Sequence, residues 1–393
     1  MEELIPFLLM SGMIGIVLLV ARASKKARQA AWSRAAAALD MHFAQGGFFG
    51  TDRIQGQLNG CGVEVYIFTR GSSKNRTTYT GIRIKGDLFF GLKMRKEGVG
   101  SSIGKLFKGE DLQVGDAFFD REVHIDGDPL ESMALLNAEA RAAVLDLLSQ
   151  GGSVDNGVVE WETRGAMKDA GLIEGKVRSL VRLVNQLSLG GRDIAQCLAE
   201  NAIKDPLPSV RLRNLEALLT SQGLVPATLV VARRCLDDPS ATVALRAALA
   251  LGDEGLPHIE QLIGQRDVPP LMRIDALGRL GARGEEVLLS MLDSGDVVVL
   301  RATARALERC GTLAAVEPLL PHSKGMLTDG ELKQAARQAI DAIQARHGGG
   351  ERGAFSIADG GDVRGGLSIA EEDQRGAVSM AQKAAAKKPD PAR

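Results

Sequence analysis

The alternation of apolar and polar positions changes character several times along the chain. Residues 4–21 read LIPFLLMSGMIGIVLLVA, eighteen residues without a charge. A helix of that length spans roughly 27 Å, enough for the hydrocarbon core of a bilayer. An Ala-rich basic stretch follows over 22–45, with Arg22, Lys25, Lys26, Arg28 and Arg34 and no acid before Asp40. From Gly46 onward, short runs of β-branched and aromatic residues are cut by glycine and Asn-Gly. Residues 53–58, Asn59-Gly60 and 62–68 give a hairpin signal. Residues 77–85 alternate, 88–95 follow, and 122–126 and 158–162 read as further strands. Residues 129–148 place Leu135, Leu136, Val144, Leu147 and Leu148 at helical spacing, and a second helix is predicted over about 171–188. Together these elements predict an antiparallel α+β domain over 46–188.

Over 190–347 the period becomes helical and the chain repeats itself. Basic residues open successive helices at Arg213, Arg246, Arg273, Arg301 and Lys333, in steps of 33, 27, 28 and 32 residues. Second helices, such as 257–263 and 285–292, lie between them. A lone pair of short amphipathic helices cannot bury its apolar stripe, so neighbouring pairs must stack. Ala247, Ala248, Ala276, Ala302, Ala304, Ala335 and Ala336 allow close approach. Asp205, Asp238, Asp267, Asp293 or Asp296, and Asp329 precede the helices and are expected as N-caps, some also bonding to the basic residue of an adjacent repeat. This pattern, D-P-x…V-x-L-R-x-A-A-x-A-L-G, resembles HEAT repeats in the short form also seen in PBS-lyase-type repeats. The resemblance implies an α-solenoid that binds other macromolecules. Some members of that group are lyases that attach bilins to proteins, so it also admits an enzyme, although no residue set for that chemistry is found.

After Arg346-His347 and three glycines the chain loses its apolar stripe. Residues 348–393 state one phrase three times: RGAFSIA from Arg352, RGGLSIA from Arg364 and RGAVSMA from Arg375. Each copy offers only one or two large apolar side chains, too few for a core, so the tail is expected to be disordered. An apolar residue on either side of a serine also suits a strand added to a sheet edge, and three copies raise the local concentration. Such phrases resemble the C-terminal extensions of some bacterial HEAT-repeat proteins.

The expected fold is therefore multidomain. It comprises a single N-terminal transmembrane helix (4–21), a basic juxtamembrane helix (22–45), an α+β domain with an antiparallel sheet (46–188), an all-α HEAT-like solenoid (190–347) and a disordered tail (348–393). The five early basic residues, read as membrane-proximal, place the N-terminus outside and the bulk of the chain in the cytoplasm, as a single-pass protein of a bacterial inner membrane. Ala21-Arg22-Ala23 imitates a cleavage site. The acidic start, the length of the apolar run and the basic residues beyond it favour an uncleaved anchor.

Charge and composition narrow the chemistry. Lys plus Arg number 48 and Asp plus Glu 49, so no global charge points to nucleic acid. Four separated cysteines and five scattered histidines make no metal-ligand spacing. The stretch from Gly98 to Lys105 imitates a phosphate loop, but Val99 stands where a glycine belongs and Leu106 where a hydroxyl must bind magnesium. Val114-Gly-Asp-Ala-Phe-Phe-Asp-Arg resembles a GD-x-x-FD phrase of bacterial membrane-associated proteins. Its Asp116 and Asp120 make a conceivable carboxylate pair; the plainer reading has Gly115 and Asp116 in a turn and Phe118 and Phe119 in the core. Ten basic residues lie between Arg70 and Lys108 against two acids, and seven acids lie between Glu110 and Asp128. That segregation reads either as a solvated sheet face or as a surface held against anionic headgroups. No catalytic, cofactor-binding or metal-binding residue emerges. The expected function is a membrane-anchored cytoplasmic adaptor that grips a protein with Arg233, Arg234, Glu260, Arg283 and Glu285 on the second helices, expected to line a concave face. The alternatives are a bilin-lyase-like enzyme in the solenoid groove and a lipid or ligand sensor in the α+β domain.

Overall fold

The structure, a computed structural model, describes residues 4–46, 51–72, 75–88, 91–97, 112–324 and 329–347, with the backbone alone for 4–18 and 21. The expected tail over 348–393 and the glycine-serine loop from Gly98 to Lys105 lie outside the described residues.

The chain opens with one helix, α1 (Leu4–Ala38). The expectation of a transmembrane helix over 4–21 is corrected here: among the described residues no helix is long and apolar enough to cross a membrane. The single-pass inner-membrane placement, N-terminus outside and bulk cytoplasmic, goes with it. The uncharged run is not a separate element but the first part of a longer helix whose last turns belong to a domain core. Ala31, Trp32, Ala35 and Ala36 recur at helical spacing and are buried against the sheet domain. Trp32 donates its indole N–H to the Met167 carbonyl at 2.9 Å. Of the basic residues, Arg22, Lys25, Lys26 and Arg34 are exposed, whereas Arg28 reaches Asp52 at 2.8 Å.

Asp52, 1 % exposed, fastens α1 to the sheet. It accepts from Arg28, from Gln29 at 3.0 Å and from the Gly46 N–H at 3.0 Å. Burial pushes its pKa up, but the hydrogen bonds from Gln29, Arg28 and Gly46 outweigh it and hold the carboxyl below its ordinary value. A depressed carboxylate pKa contributes stability that is present above the unfolded pKa and lost as pH falls through the folded one. We therefore expect α1 to loosen in acid below about pH 4. In a Trp161→Phe background the fluorescence of Trp32 reports this directly. Asp52→Asn should abolish the acid step and loosen Trp32 already at pH 7; an unchanged titration overturns the assignment.

The sheet is built from β1 (His42–Ala44), β2 (Arg53–Leu58), β3 (Cys61–Arg70), β4 (Thr77–Lys85), β5 (Lys93–Lys96), β6 (Val123–Asp126), β7 (Ser153–Asp155) and β8 (Val158–Arg164). Among the described residues it forms one eight-stranded antiparallel sheet of order β1-β2-β3-β4-β8-β7-β5-β6. The Asn59-Gly60 hairpin forms as expected, with both residues at positive φ (49° and 81°), the type I′ geometry that follows strand twist. Along β3, Cys61, Val63, Val65 and Ile67 face inward, toward a core closed by α1 and by α5 (Ala170–Gln186), which packs on β3 and β4.

Between β5 and β7 lie α2 (Ala117–Glu122), α3 (Pro129–Leu135) and α4 (Ala138–Ser149). The single helix read over 129–148 is thus two, because Asn137 turns the chain and caps α4 by accepting the Ala140 N–H. Beyond the sheet come α6 (Ile194–Lys204), α7 (Pro208–Gln222), α8 (Pro226–Cys235), α9 (Ala241–Ala250), α10 (Leu256–Leu262), α11 (Pro270–Arg279), α12 (Ala282–Ser290), α13 (Val297–Cys310), α14 (Val316–Ser323) and α15 (Gly330–His347).

These helices stack as pairs, and the stack begins earlier than residue 190. Helix α3 packs on α6 and α7 through Ala134, Cys197, Leu198, Ala217 and Leu218, so α3–α4 serves as the first pair although it is inserted between strands. The later pairs are α6–α7, α8–α9, α10–α11, α12–α13 and α14–α15. Their longer members contact one another in the order α7, α9, α11, α13, α15. Ala247, Ala248, Ala276, Ala304, Ala335 and Ala336 are buried at these contacts, and Ala302 is half-buried.

Candidate binding surfaces

One position recurs in the pairs, the fourth residue after the helix start. It is Arg141 in α4, Arg211 in α7, Ala244 in α9 and Arg273 in α11; Lys333 stands four residues after Asp329, and Arg301 is displaced by one. From there an arginine reaches back to the carbonyl five residues earlier: Arg141 to Leu136 at 2.9 Å, Arg211 to Pro206 at 3.3 Å, Arg273 to Val268 at 3.3 Å. It also reaches forward to an aspartate between the two helices of the next pair. Arg141 binds both oxygens of Asp205 (2.8 and 3.2 Å), and Arg211 binds both oxygens of Asp238 (2.7 Å each). Arg301 binds Asp329 at 3.3 Å and Glu331. The bidentate forks explain why arginine rather than lysine occupies the first rungs.

This geometry revises the repeat alignment. Arg213 and Arg246 lie two residues further along their helices than Arg211 and Ala244. They turn to the surface, Arg213 onto Gln113 and Arg246 toward Glu216 at 3.5 Å. Asp205 and Asp238 are not N-caps: the N-cap residues are Leu207 and Ser240, Asp205 closes the C-terminus of α6, and both aspartates accept from the N–H groups of those residues and from the arginines. Asp296 and Asp329 do accept an N–H within the first helical turn.

The GD-x-x-FD phrase belongs to this junction. Asp116 caps α2 through the Phe118 and Phe119 N–H groups and accepts Arg141 at 2.9 Å. Asp120 closes the loop onto the Val114 and Gly115 N–H groups; its pKa is raised, burial outweighing those bonds. Gly115, at φ 96°, lies where a methyl group would fall 2.8 Å from the Ser209 carbonyl of α7. The two aspartates are consumed in holding the sheet domain to the helix stack. Phe119 enters the core as expected, while Phe118 is 55 % exposed beneath the Arg121 guanidinium.

Two exposed surfaces remain. The first is the outer sheet face, where Tyr66, Phe68 and Tyr79 adjoin at 5.5–5.6 Å between ring centroids and Tyr66 lies across Gly81. The clustered basic residues of this face are paired across strands, Arg70 with Glu162, Arg83 with Glu160 and Glu64, Lys93 with Asp155 and Arg95 with Asp126. Among the described residues this face mixes charges of both signs.

The second surface runs over α8, α10 and α12. It joins three of the five predicted partner residues, with Arg233 paired to Glu254 at 2.7 Å and Arg283 paired to Glu260; Arg234, on α8, stands exposed with no partner among the described residues and lines an adjoining groove with Lys204, Asp237 and Asp238. Glu285 does not belong to it. It is 8 % exposed and accepts both the N–H and the hydroxyl of Thr312, at 2.6 and 3.0 Å, so it holds the next pair instead of a ligand. Val230 and Val287, missed because their helices are short, are 51 % and 45 % exposed on the same helices.

No group of histidine, cysteine and acidic residues among the described residues is placed to hold a metal ion. Cys61, Cys197 and Cys235 are buried and Cys310 half-buried, all as free thiols; burial pushes the Cys235 thiol up to about 11, far from a reactive thiolate. No family model and no curated protein matches the chain.

Proposed function

We propose that the helix stack is a docking platform for a protein partner and that the sheet domain is the rigid cap on its first pair. The observation that carries this reading is the α8–α10–α12 surface, where paired and unpaired charges of both signs alternate with exposed valines. A mixed polar face with isolated apolar side chains suits a complementary protein surface. It suits nucleic acid badly, because phosphate binding calls for a run of uncompensated basic groups. The resemblance of the pairs to HEAT repeats supports the same reading, since arrays of that kind bind macromolecules.

Arg234 is the residue to test, because its reversal breaks no ion pair in the free protein. Arg234→Glu in the full chain is expected to weaken the partner complex at least tenfold, about 1.4 kcal/mol, and to leave the far-UV spectrum unchanged. The measurement is quantitative cross-linking in source cells with wild type and variant side by side. A partner retained equally by both overturns the assignment of this surface.

A further inference from the structure

At one end of the sheet domain a cleft of about 460 Å³ opens between the β2–β3 turn, the start of α4 and the C-terminal half of α5. Its lining holds the guanidinium groups of Arg178, Arg182 and Arg192 and the carboxamides of Asn59, Asn137, Asn185 and Gln186, with Leu58 and no carboxylate. Arg178, Arg182 and Asn185 recur at helical spacing on one face of α5, beside the stripe of the buried Val177, Val181 and Val184. Two like charges four residues apart repel in the empty protein.

Two of the three arginines of this cleft have no carboxylate partner among the described residues, whereas several arginines of the sheet domain do. Arg28, Arg53, Arg70, Arg83 and Arg141 each face a carboxylate. Arg182 has no partner among the described residues. Arg192 donates only to the carbonyls of Leu189 and Ser188, at 3.2 and 3.5 Å. Arg178 alone is paired, with Glu174 at 2.9 Å, and it also donates to the Ala38 carbonyl at 3.1 Å. The other acid nearby, Glu139, accepts from Gln186 at 3.4 Å. The side-chain oxygen of Gln186, at the wall of the cleft, is buried with no hydrogen-bond donor among the described residues, an acceptor that a ligand hydroxyl satisfies once the carboxamide turns into the cleft.

We propose that this cleft binds a small soluble phosphate-rich anion that also carries hydroxyl groups, a nucleoside polyphosphate or a sugar phosphate in chemical class. Planar guanidinium forks match phosphate oxygens two at a time. Three of them offset a charge that a single carboxylate does not reach, and the volume accommodates a ligand of nucleotide size. The inference concerns the sheet domain and is independent of the partner surface on the helix stack.

The test is calorimetry on the full chain at low salt, with ATP and pyrophosphate as probes and acetate as the carboxylate control. ATP and pyrophosphate are expected to bind, ATP more tightly, and acetate to show no heat. Arg182→Ala with Arg192→Ala is expected to weaken ATP binding at least tenfold without changing the helical spectrum. Gln186→Leu should weaken ATP and leave pyrophosphate unchanged. Vesicles containing phosphatidylglycerol, titrated in parallel, separate a headgroup source from a free one. Absence of heat with both phosphate probes, affinity unchanged in the double variant, or vesicle binding that pyrophosphate does not displace each overturns the proposal.

Discussion

Arg141→Ala is expected to cost about 3–5 kcal/mol of folding stability, the range for removing one partner of a buried ion pair. Arg141 is 3 % exposed and Asp205 6 %. Truncation leaves Asp205 and Asp116 facing each other's surroundings without their shared cation, in a site that water does not reach freely. It also orphans the Leu136 carbonyl that closes the α3–α4 turn. Urea denaturation of the full chain measures the effect, and the helical signal should lose its single transition as the stack separates from its cap. Changing Arg141→Met with Asp205→Leu should recover part of the loss, because the fully buried carboxylate is then removed with its cation and only the more exposed Asp116 stays unpaired. A shift below about 1 kcal/mol for Arg141→Ala, the size of an exposed pair, overturns the role given to this residue.

Ala276→Asp should be equally severe for a different reason. Ala276 is fully buried on α11, in a cluster with Leu245, Ala248 and Leu249 of α9 and with Ile259 of α10. A carboxylate there has neither space nor a cation, and a loss of about 4 kcal/mol or more follows. The protein separates the outcome by itself, since both tryptophans, Trp32 and Trp161, lie in the sheet domain. Far-UV ellipticity should fall at lower urea than in wild type while tryptophan emission holds its own midpoint. Ala276→Ser should change little. If Ala276→Asp melts like the parent, the packing of α9 on α11 is wrong.

What the sequence revealed and what it hid divide along the distance over which the signal acts. The Asn59-Gly60 hairpin, the alternation of β3 and β4 and the helical period beyond residue 190 were legible because turn chemistry and amphipathic period are local. The arginine register was not, because Arg211 and Arg213 both lie early in one helix and the pattern of charges alone does not say which turns inward. The membership of α3–α4 in the stack was hidden by the strands on either side. Arg141 meets Asp205 across 64 residues, and nothing within its own helix announces the partner. The same holds for the sheet, where Arg70 and Glu162 lie 92 residues apart. The basic cluster looked unopposed along the chain; Arg70, Arg83 and Lys93 meet acids of other strands, and Arg95 meets Asp126 of the acidic segment. The arginine cleft was overlooked for the converse reason: its residues are individually ordinary, and only the meeting of a turn with two helices makes them a site. At the N-terminus the uncharged run 4–21 read as a membrane span and 22–45 as a helix beside it, because a run of apolar residues does not register that Trp32, Ala35 and Ala36 commit the same helix to a core.

The row of forward-reaching arginines is interrupted. The rungs from Arg141 and Arg211 are buried and bidentate, and Arg301 reaches two acids beyond it. In between, Ala244 offers no side chain long enough, and the Arg273 guanidinium ends on the carbonyls of Gln265 and Val268 in its own turn. From α8–α9 to α10–α11 the polar links are Thr242 to the Asp267 carbonyl at 2.9 Å and the exposed Arg233–Glu254 pair. Exposed contacts of this kind resist displacement weakly. Mechanically, the stack is therefore a rod of uneven stiffness, clamped to the sheet at one end and most compliant at its middle. A bending load applied to the stack is expected to collect there.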